Sequence, residues 1–326
     1  IIGGCGFIGH NLAISLAKEN EVSVIDGLNV NNLLSFQDSN IINRDLYRKI
    51  LNNRLDLLNQ LNINLIIQDV RDYHQLSKAI DQINPEIVIH LAAVSHANIS
   101  NKTPYATFDH SLRTLENTLD CVKFKKVHFI FLSSSMVYGD FDGKVVKEDD
   151  KLSPKGIYGA LKLAGELIIK SYSQVFDLDY TIIRPSALYG ERCVSRRVTQ
   201  IFIESALSNK PLILNGDGSE KLDFTYIQDL IQGIQKVVNN KKSRNETFNI
   251  TYGQGRELND VVNILKKNFL NIEIDYKNRD ALVPIRGALS IDKAKKLLDY
   301  NPTFNLDEGF QKYISWYKDF FNQNSL

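Results

Sequence analysis

The sequence has few of the features that mark secreted or metal-binding proteins. Its 326 residues contain three cysteines, seven prolines, one methionine and one tryptophan. Cys5, Cys121 and Cys193 form no Cys-x-x-Cys pair and have no histidine cluster nearby, which excludes a structural zinc site and favours reduced thiols. No signal-peptide pattern opens the chain, and because it begins with Ile1 we expect residues of a first strand to precede it. We therefore expect no metal and a cytoplasmic location.

Long apolar runs and an excess of one charge are also missing. The longest apolar runs, such as 87–94, are strand-sized and far shorter than the roughly 20 residues that a membrane-spanning helix needs. Because 39 Lys and Arg residues balance 38 Asp and Glu residues, no overall field attracts nucleic acid or an anionic membrane surface. We expect neither nucleic acid nor a membrane as a partner, and any anionic ligand needs a local cluster of cations.

What the sequence does contain begins with glycines at a spacing that suits a dinucleotide. Gly3, Gly6 and Gly9 precede an amphipathic run that predicts a helix. Glycine at these places permits a tight turn, close approach of backbone N–H groups to a pyrophosphate, and close packing of helix on strand. The next apolar run, 22–25, ends in Asp26, whose carboxylate can accept hydrogen bonds from both adenosine ribose hydroxyls and repels a 2′-phosphate. This order predicts NAD rather than NADP.

Further apolar runs predict parallel strands that end at the same cofactor. One of them ends in Asp69 and Val70, and the Asp69 carboxylate could accept a hydrogen bond from the adenine amino group. Another, 85–93, is almost continuously apolar, as suits a strand that is buried on both faces. Its small residues Ala92 and Ala93 would let a bound ligand lie close to the backbone.

The candidate chemistry lies after the fifth predicted strand. That strand, 127–132, is followed by three serines at 133–135 and by a tyrosine and a lysine four residues apart, Tyr158 and Lys162. The spacing places both side chains on one face of a helix, and the lysine charge favours the phenolate, lowering a pKa that starts near about 10. Such a tyrosine can act as a general base, and a serine at the strand end can hydrogen-bond the same substrate oxygen. The serines could alternatively form a polar turn, and on the order of one Tyr-x-x-x-Lys pair is expected by chance.

Taken in order, these motifs resemble the extended short-chain dehydrogenase/reductase superfamily, and within it the NAD-dependent nucleotide-sugar epimerase/dehydratase branch. The resemblance covers nearly the whole chain and includes Arg184-Pro185, Tyr189-Gly190, Gly216-Asp217-Gly218 and Asp223-Phe224. It implies an α/β fold, a Rossmann-type doubly wound parallel sheet with a smaller C-terminal substrate lobe. We predict that 1–183 form the NAD-binding domain, that 226–254 return to it, and that 184–225 and 255–326 form the lobe.

The resemblance also assigns roles to individual residues. It implies that Ser134, Tyr158 and Lys162 are catalytic, and that Lys162 also holds the nicotinamide ribose. The residues that we expect to bind NAD are Gly3, Gly6, Phe7, Ile8, Gly9, Asp26, Asp69, Val70, Leu91, Ala92, Ala93, Tyr158, Lys162 and Pro185. The residues that we expect to bind the substrate, a nucleotide-diphosphate sugar, are Ser95, Ser135, Met136, Ser186, Arg192, Lys221 and Arg286.

The residues after Ser134 distinguish the branches of this family. Dehydratases carry an Asp-Glu pair there, decarboxylases a Glu beside the serine or threonine, and the fucose-synthase type a Cys in this loop, whereas this chain has Ser135 and Met136. The pattern is most similar to UDP-galactose and UDP-glucuronate 4-epimerases, which need no extra acid. We therefore predict an epimerase acting at C4 through a transient 4-keto sugar. A nucleotide-sugar reductase, dehydrogenase or dehydratase of the same family is the alternative, and a non-catalytic NAD-binding regulator is the hypothesis from another class.

Two departures from the family pattern concern the diphosphate of the substrate. Ala187 stands where an Asn usually contacts the phosphates, and Leu222 replaces a common Arg. Arg286 lies where a second diphosphate arginine is often found, so we expect it to take this role. By resemblance the protein is also expected to be a homodimer that pairs the helices near 103–124 and 158–176.

Overall fold

The computed structural model of the protein describes residues 1–38, 40–94, 97–280 and 282–324. In chain order, strands β1 to β12 are Ser23–Asp26, Asn64–Ile67, Ile87–His90, His128–Leu132, Asp179–Arg184, Leu188–Tyr189, Leu212–Asn215, Lys221–Asp223, Thr225–Tyr226, Glu246–Asn249, Gly255–Glu257 and Ile274–Lys277. Helices α1 to α12 are Phe7–Leu16, Arg44–Gln60, Tyr73–Ile83, Ala97–Lys102, Pro104–Phe108, Thr114–Val122, Gly156–Phe176, Val198–Leu207, Ile227–Asn239, Leu258–Asn268, Asp292–Leu298 and Leu306–Asn324.

The central sheet is parallel, and its order reverses at the start of the chain. Ile2 bridges β1 at Ile25 on one side and β3 at His90 on the other. Beyond these bridges, β2 pairs with β1, while β3, β4, β5 and β10 follow one another on the opposite side. The chain thus winds outward from Ile2 in both directions, which is the doubly wound arrangement. The predicted Rossmann-type α/β fold is confirmed.

Strand β4 explains how one sheet supports two helical layers. All five of its residues are buried, and successive side chains point to opposite faces of a strand. Ile130 and Leu132 belong to a core cluster on one face, where α1 packs against α2 and α9. Phe129 and Phe131 belong to the cluster on the other face, where α6 packs against α3 and α7. The continuous apolar run in the sequence therefore reflects burial on both sides.

The second half of the chain adds smaller sheets beside the central one. β7 pairs with β12, β8 with β11, and β6 with β9. Helix α9 packs against α1, and α11 packs against β10 and α9. Both helices therefore belong with the central sheet. The proposed division of the chain into two domains stays a prediction, and α11 lies outside the segment that we expected to return. Among the described residues, no helix is both long and apolar enough to cross a bilayer.

A buried carboxylate joins helix α2, inserted between β1 and β2, to the second half of the chain. Glu204 of α8 is 5 % exposed. It accepts hydrogen bonds from Tyr47 Oη at 2.7 Å and from Asn43 Nδ2 at 2.8 Å, both at the start of α2. Gln200 Nε2 and Tyr317 Oη of α12 each donate to it at 2.8 Å. Four donors around one carboxylate satisfy a charge that would otherwise be costly to bury.

We expect Glu204→Ala to lower the free energy of unfolding by about 3 kcal/mol, because it leaves several buried donors without an acceptor. Urea unfolding followed by circular dichroism measures the loss. Glu19→Ala, which changes an exposed glutamate, is the control and should alter the free energy of unfolding by less than about 0.5 kcal/mol. Equal effects of the two substitutions would contradict the role assigned to Glu204.

Candidate functional site

Two adjoining cavities lie at the carboxyl edge of the central sheet, where ligands bind in open α/β folds. The first cavity is lined by the predicted cofactor residues Gly3, Gly6, Phe7, Ile8, Gly9, Asp26, Asp69, Val70, Leu91, Ala92 and Ala93. The second cavity is lined by the predicted residues Ser134, Ser135, Met136, Tyr158, Lys162, Pro185, Ser186 and Arg286. The residues that line both cavities are Ile8, Leu91, Ala93 and Arg197.

The glycine loop has the shape that a pyrophosphate needs. A Cβ on Gly3 would lie 2.8 Å from the Ala92 nitrogen, and a Cβ on Gly9 would lie 2.5 Å from Gly4 Cα. These two glycines therefore allow the loop to pack on β3 and on α1. A Cβ on Gly6 would meet only the Gly3 carbonyl oxygen at 3.3 Å, so its glycine keeps space open toward the first cavity. No side chain caps the N-terminus of α1 at this point, which leaves its N–H groups for an anion.

Asp26 is positioned for a ribose at the end of β1. Its Oδ2 accepts a hydrogen bond from the Cys5 N–H at 2.9 Å, and its Oδ1 accepts one from the Leu28 N–H at 2.7 Å. Burial raises the pKa of Asp26, while these two N–H groups act in the opposite direction. Each carboxylate oxygen has a second lone pair that can accept a bond from a ribose hydroxyl, so the residue fits NAD.

Asp69 lies at the far end of the first cavity, next to Val70. Arg71 donates to its carboxylate, from Nε to Oδ1 at 3.0 Å and from Nη2 to Oδ2 at 2.6 Å. These bonds lower the pKa of Asp69 and keep it ionised. Arg71 is fixed in turn by Asp109, with Nη1 and Oδ2 2.5 Å apart. The cavity wall here is a preformed set of paired charges.

Helix α7 brings the tyrosine and the lysine against the serine turn at 135–137. Their four-residue spacing places Tyr158 and Lys162 on one helical face, as the sequence predicted. Between them, Gly159 allows the close contact, because a Cβ there would lie 2.7 Å from the Met136 carbonyl oxygen. The first turn of α7 is held by Asn101 Oδ1, which accepts the N–H of residue 157 at 3.1 Å.

The Tyr158 hydroxyl meets Ser134 in the second cavity. Burial raises the pKa of Tyr158, while the charge of Arg197 and a hydrogen bond with Ser134 act against this rise. Ser134 Oγ also accepts the Met136 N–H at 3.2 Å, which fixes its rotamer. The two hydroxyls can therefore bind one substrate oxygen together.

Lys162 lies on the predicted face of α7, and its ammonium is held at the end of β4. Its Nζ donates to the Leu132 carbonyl oxygen at 2.7 Å and lies 4.9 Å from the centre of the Phe131 ring. The distance from Nζ to the centre of the Tyr158 ring is 6.0 Å. Burial lowers the pKa of Lys162 to about 8, opposed by the charge of Glu166. Lys162 thus turns toward the end of β4, and the charge of Arg197 also acts on the Tyr158 hydroxyl.

Arg286 is a predicted substrate residue with unmet hydrogen-bonding capacity. Its side chain is 17 % exposed, and its Nη2 lies 3.7 Å from Glu220 Oε1. Within the described part of the chain, no acceptor lies within reach of the buried Nε. Burial lowers the pKa of Arg286, while Glu220 raises it and Arg197 lowers it further. Three arginines, Arg197, Arg279 and Arg286, thus line one cavity with two acids, Glu220 and Asp280, an arrangement that suits an anionic ligand.

Two substrate assignments made from the sequence, Arg192 and Lys221, do not line the second cavity as described. Arg192, at a φ of 64°, turns toward α2, where its Nε donates to Asn53 Oδ1 at 2.7 Å. Lys221 is exposed on β8, with its side chain on the opposite face from the buried Leu222. Both assignments stay predictions, with the two side chains placed away from this cavity. Ser95 lies outside the described residues.

Sequence reasoning missed Arg197 and Asn101. Arg197 belongs to the basic cluster 192–197, which was the available signal, but the sequence could not show which arginine faces the site. It directly precedes α8 in an extended conformation, at the junction of the two cavities. Its buried Nε also has no acceptor among the described residues. Asn101 carried no motif, because its contact with α7 is made only in the folded chain.

A doubly wound sheet with a glycine loop, a ribose-binding acid and a Ser–Tyr–Lys set defines the class of dinucleotide-dependent enzymes that act on a hydroxyl or carbonyl carbon. The chain belongs to the NAD-dependent epimerase/dehydratase family, whose sequence model matches residues 1–251. The family and the NAD dependence that we predicted are thereby confirmed.

Individual relatives cover nearly the full length of the chain. It is 30% identical over 329 residues to a putative UDP-glucose 4-epimerase of Methanocaldococcus jannaschii, covering 98% of both chains. It is 29% identical to an uncharacterized UDP-glucose epimerase, YtcB, of Bacillus subtilis, covering 97% of this chain and 96% of the other. Among solved structures, UDP-glucuronic acid 4-epimerase from Bacillus cereus, with UDP-glucuronic acid and NAD, is similar with a TM-score of 0.86, 26% identity and 98% coverage of both chains.

We expect Gly6→Ala to weaken NAD binding at least tenfold, or by about 1.4 kcal/mol, without changing the melting temperature of the protein. The added methyl group enters the first cavity and meets only the Gly3 carbonyl within the protein. Isothermal titration with NAD and differential scanning calorimetry measure the two effects. Gly9→Ala is the matched comparison and should lower the melting temperature as well, because its methyl group collides with Gly4. Normal NAD affinity in Gly6→Ala would contradict the assigned approach of the cofactor.

Proposed function

We propose that the protein is an NAD-dependent 4-epimerase of UDP-sugars that works through a transient 4-keto sugar. The observation that carries this proposal is the meeting of the Ser134 and Tyr158 hydroxyls in a cavity that adjoins the one built for NAD. The serine turn supplies Ser135 and Met136 and no carboxylate, so it offers oxidation and reduction of an alcohol without a further acid for elimination. Relatives named as UDP-sugar 4-epimerases support the same reaction.

NAD fits the first cavity through the glycine loop, Asp26 and the free N-terminus of α1. When bound there, NAD would supply hydride acceptance and hydride return at C4 of the sugar. Lys162 has three N–H donors and gives one to the Leu132 carbonyl, so the others are available to a ribose hydroxyl. The protein's own residues hold the sugar and move the proton.

Tyr158, as phenolate, takes the proton from the C4 hydroxyl as the alcohol becomes a ketone. After the 4-keto sugar has rotated to present its other face, Tyr158 returns the proton to the same oxygen. Ser134 donates a hydrogen bond to the same oxygen in both states. Because burial raises the pKa of Tyr158, the phenolate needs nearby positive charge, which Arg197 supplies directly. The ammonium of Lys162 adds to this at pH values below its pKa of about 8.

A nucleotide diphosphate accounts for the remaining charge in the second cavity. Arg197, Arg279 and Arg286 line it, against the acids Glu220 and Asp280. Leu222, which replaces the arginine usual in the family, is buried in β8 and adds only apolar surface. Arg286, with its unpaired Nε, is therefore the residue that we assign to the diphosphate. Solved relatives hold UDP-glucuronic acid in one case and UDP-glucose in another, which supports a UDP-sugar.

The direct experiment incubates the protein with UDP-glucose, UDP-galactose, UDP-glucuronic acid or UDP-galacturonic acid and follows the sugar by proton NMR. Absorbance of the reduced cofactor is recorded in parallel. Interconversion at C4 without accumulation of NADH supports the epimerase. Stoichiometric formation or consumption of NADH would instead assign the protein to the dehydrogenases or reductases, and no change with any sugar would contradict both.

We expect Tyr158→Phe to reduce kcat by about a thousandfold while NAD still binds, because only the proton-transferring hydroxyl is removed. Single-turnover epimerisation and isothermal titration with NAD measure these two quantities. Tyr276→Phe is the matched control, since Tyr276 is 61 % exposed on β12 and does not line either cavity as described. Equal rates for Tyr158→Phe and the control would contradict the assignment of the base.

We also propose that the protein is a homodimer paired through α5, α6 and α7. Leu167 and Val175 are 58 % and 71 % exposed and lie eight residues apart, on one side of α7. Tyr105 and Phe108 on the adjacent α5 and Phe124 after α6 are exposed as well. A cluster of large apolar side chains on packed helices is the kind of surface that a second copy covers.

We expect Leu167→Glu to convert the dimer into a monomer, because it buries a charge in the apolar interface. Size-exclusion chromatography with light scattering should give twice the 37.1 kDa of the chain for the unsubstituted protein and 37.1 kDa for the variant. Leu270→Glu places the same charge at a residue that is 89 % exposed elsewhere and should leave the dimer intact. A monomeric unsubstituted protein would contradict the proposed interface.

The thiols suit a cytoplasmic enzyme, which is the location that we propose. Cys5, Cys121 and Cys193 are all free. Burial raises the pKa of Cys5, and burial also raises that of Cys121 to about 11, so both stay protonated at neutral pH. Unpaired thiols persist most readily in a reducing compartment.

A further inference from the structure

The helical face that carries Tyr158 and Lys162 continues to a third ionisable residue, Glu166, whose side chain is 1 % exposed. Its carboxylate accepts a hydrogen bond from Ser133 Oγ. It also accepts two hydrogen bonds from Arg184, from Nε to Oε1 at 2.9 Å and from Nη2 to Oε2 at 2.6 Å. Ser133 directly precedes Ser134, so Glu166 is bound to the strand end that presents the reactive serine.

Arg184 also contacts the other end of the serine turn. Its Nη1 donates to Tyr138 Oη at 2.9 Å and to the Glu148 carbonyl oxygen at 2.9 Å. Tyr138 Oη in turn donates to Asn249 Oδ1 at 2.7 Å. Ser133 and Tyr138 flank the turn at 134–137, and both are tied to the same ion pair. The pair thus holds both ends of the turn.

Glu166 is also the acidic group that acts on Lys162. From α7, Lys162 is faced by Tyr158 and Glu166; from β4, by the Leu132 carbonyl and the Phe131 ring. From β3 it faces His90, whose pKa falls to about 3 through burial and the charge of Lys162, so that it stays neutral. Glu166 is the group whose charge raises the pKa of Lys162 against burial.

We propose that Glu166, held by Arg184, is a positioning residue for the reaction: it fixes Ser134 through Ser133 and supplies the opposite charge one helical turn from the Lys162 ammonium. The proposal rests on the catalytic set of the proposed function. A buried ion pair is weak evidence for stability, because apolar residues of similar size often serve as well. We therefore assign the pair another role, which is to hold both ends of the serine turn in place.

The test is Glu166→Gln, which keeps the shape of the side chain and removes its charge. Because Lys162 must be protonated to assist Tyr158, activity falls as pH rises through the pKa of Lys162, about 8. Loss of the nearby negative charge lowers that pKa, so the high-pH limb of kcat should move down by about one pH unit, with kcat at pH 7 reduced about twofold by this shift. An unchanged limb and unchanged kcat in the folded variant would overturn the proposal.

Two further variants separate positioning from general damage. Ser133→Ala removes one hydrogen bond and no charge, so we expect a lower kcat with an unshifted high-pH limb. This variant also provides the test if Glu166→Gln does not fold. In that case, a wild-type kcat in Ser133→Ala would overturn the proposal. Glu204→Gln changes another buried, hydrogen-bonded glutamate outside the site and should lower stability while leaving the pH limb in place. A shift of the limb in Glu204→Gln as large as in Glu166→Gln would also overturn the proposal.

The pH dependence of NAD affinity supplies a readout without any sugar. We expect NAD binding to weaken above the pKa of Lys162, and at a lower pH in Glu166→Gln than in the unsubstituted protein. Isothermal titration between pH 6 and pH 9 in steps of roughly half a unit would resolve such a shift of about one unit. This measurement distinguishes the two failures: absence of epimerisation contradicts the proposed function, whereas coincident NAD-affinity profiles contradict the role of Glu166.

Discussion

The pairing of Ile2 between β1 and β3 is the constraint on which the site depends. The Ile2 N–H donates to the Ile89 carbonyl oxygen at 2.9 Å, and the Ile2 carbonyl oxygen accepts a hydrogen bond from the Leu91 N–H at 2.8 Å. Because the strand order reverses there, the carboxyl ends of β1 and β3 diverge and leave room for the glycine loop between them. Gly3 completes the arrangement, since a side chain at this place would collide with Ala92. The cleft exists because the backbone can come this close.

Buried charged groups of the protein fall into two kinds: those paired with one another and those in the second cavity that lack a full set of partners. Behind the serine turn, Glu166 and Arg184 satisfy each other, and in the second half of the chain Glu204 is surrounded by donors. In the second cavity, by contrast, Arg197 and Arg286 keep buried nitrogen atoms without acceptors among the described residues. Buried donors of this kind cost free energy unless a ligand supplies the acceptors. These nitrogen atoms are therefore where an anionic ligand would gain most.

Most of the fold and of the first cavity could be predicted because their signals are local in sequence. Glycine spacing, an acid at a strand end and a Tyr–Lys pair each occupy a few consecutive residues. The second cavity was harder, because its wall combines the serine turn, the segment before α8 and the loop before Arg286. Arg192 and Arg197 belong to one basic cluster, yet Arg192, at a positive φ, bonds to Asn53 of α2, whereas Arg197 lines both cavities. The backbone conformation along the cluster decided which arginine faces the cavities.

The sequence by itself determined the parallel sheet, the dinucleotide loop and the identity of the Ser134, Tyr158 and Lys162 set, because apolar period, glycine spacing and helical spacing are properties of short segments. Only the tertiary structure decided the electrostatics of that set. Lys162 lies on the predicted face with its ammonium at the end of β4, and Arg197 from a distant segment also acts on Tyr158. The charge felt by a buried group depends on distances and burial in the folded chain, which spacing along one helix does not determine.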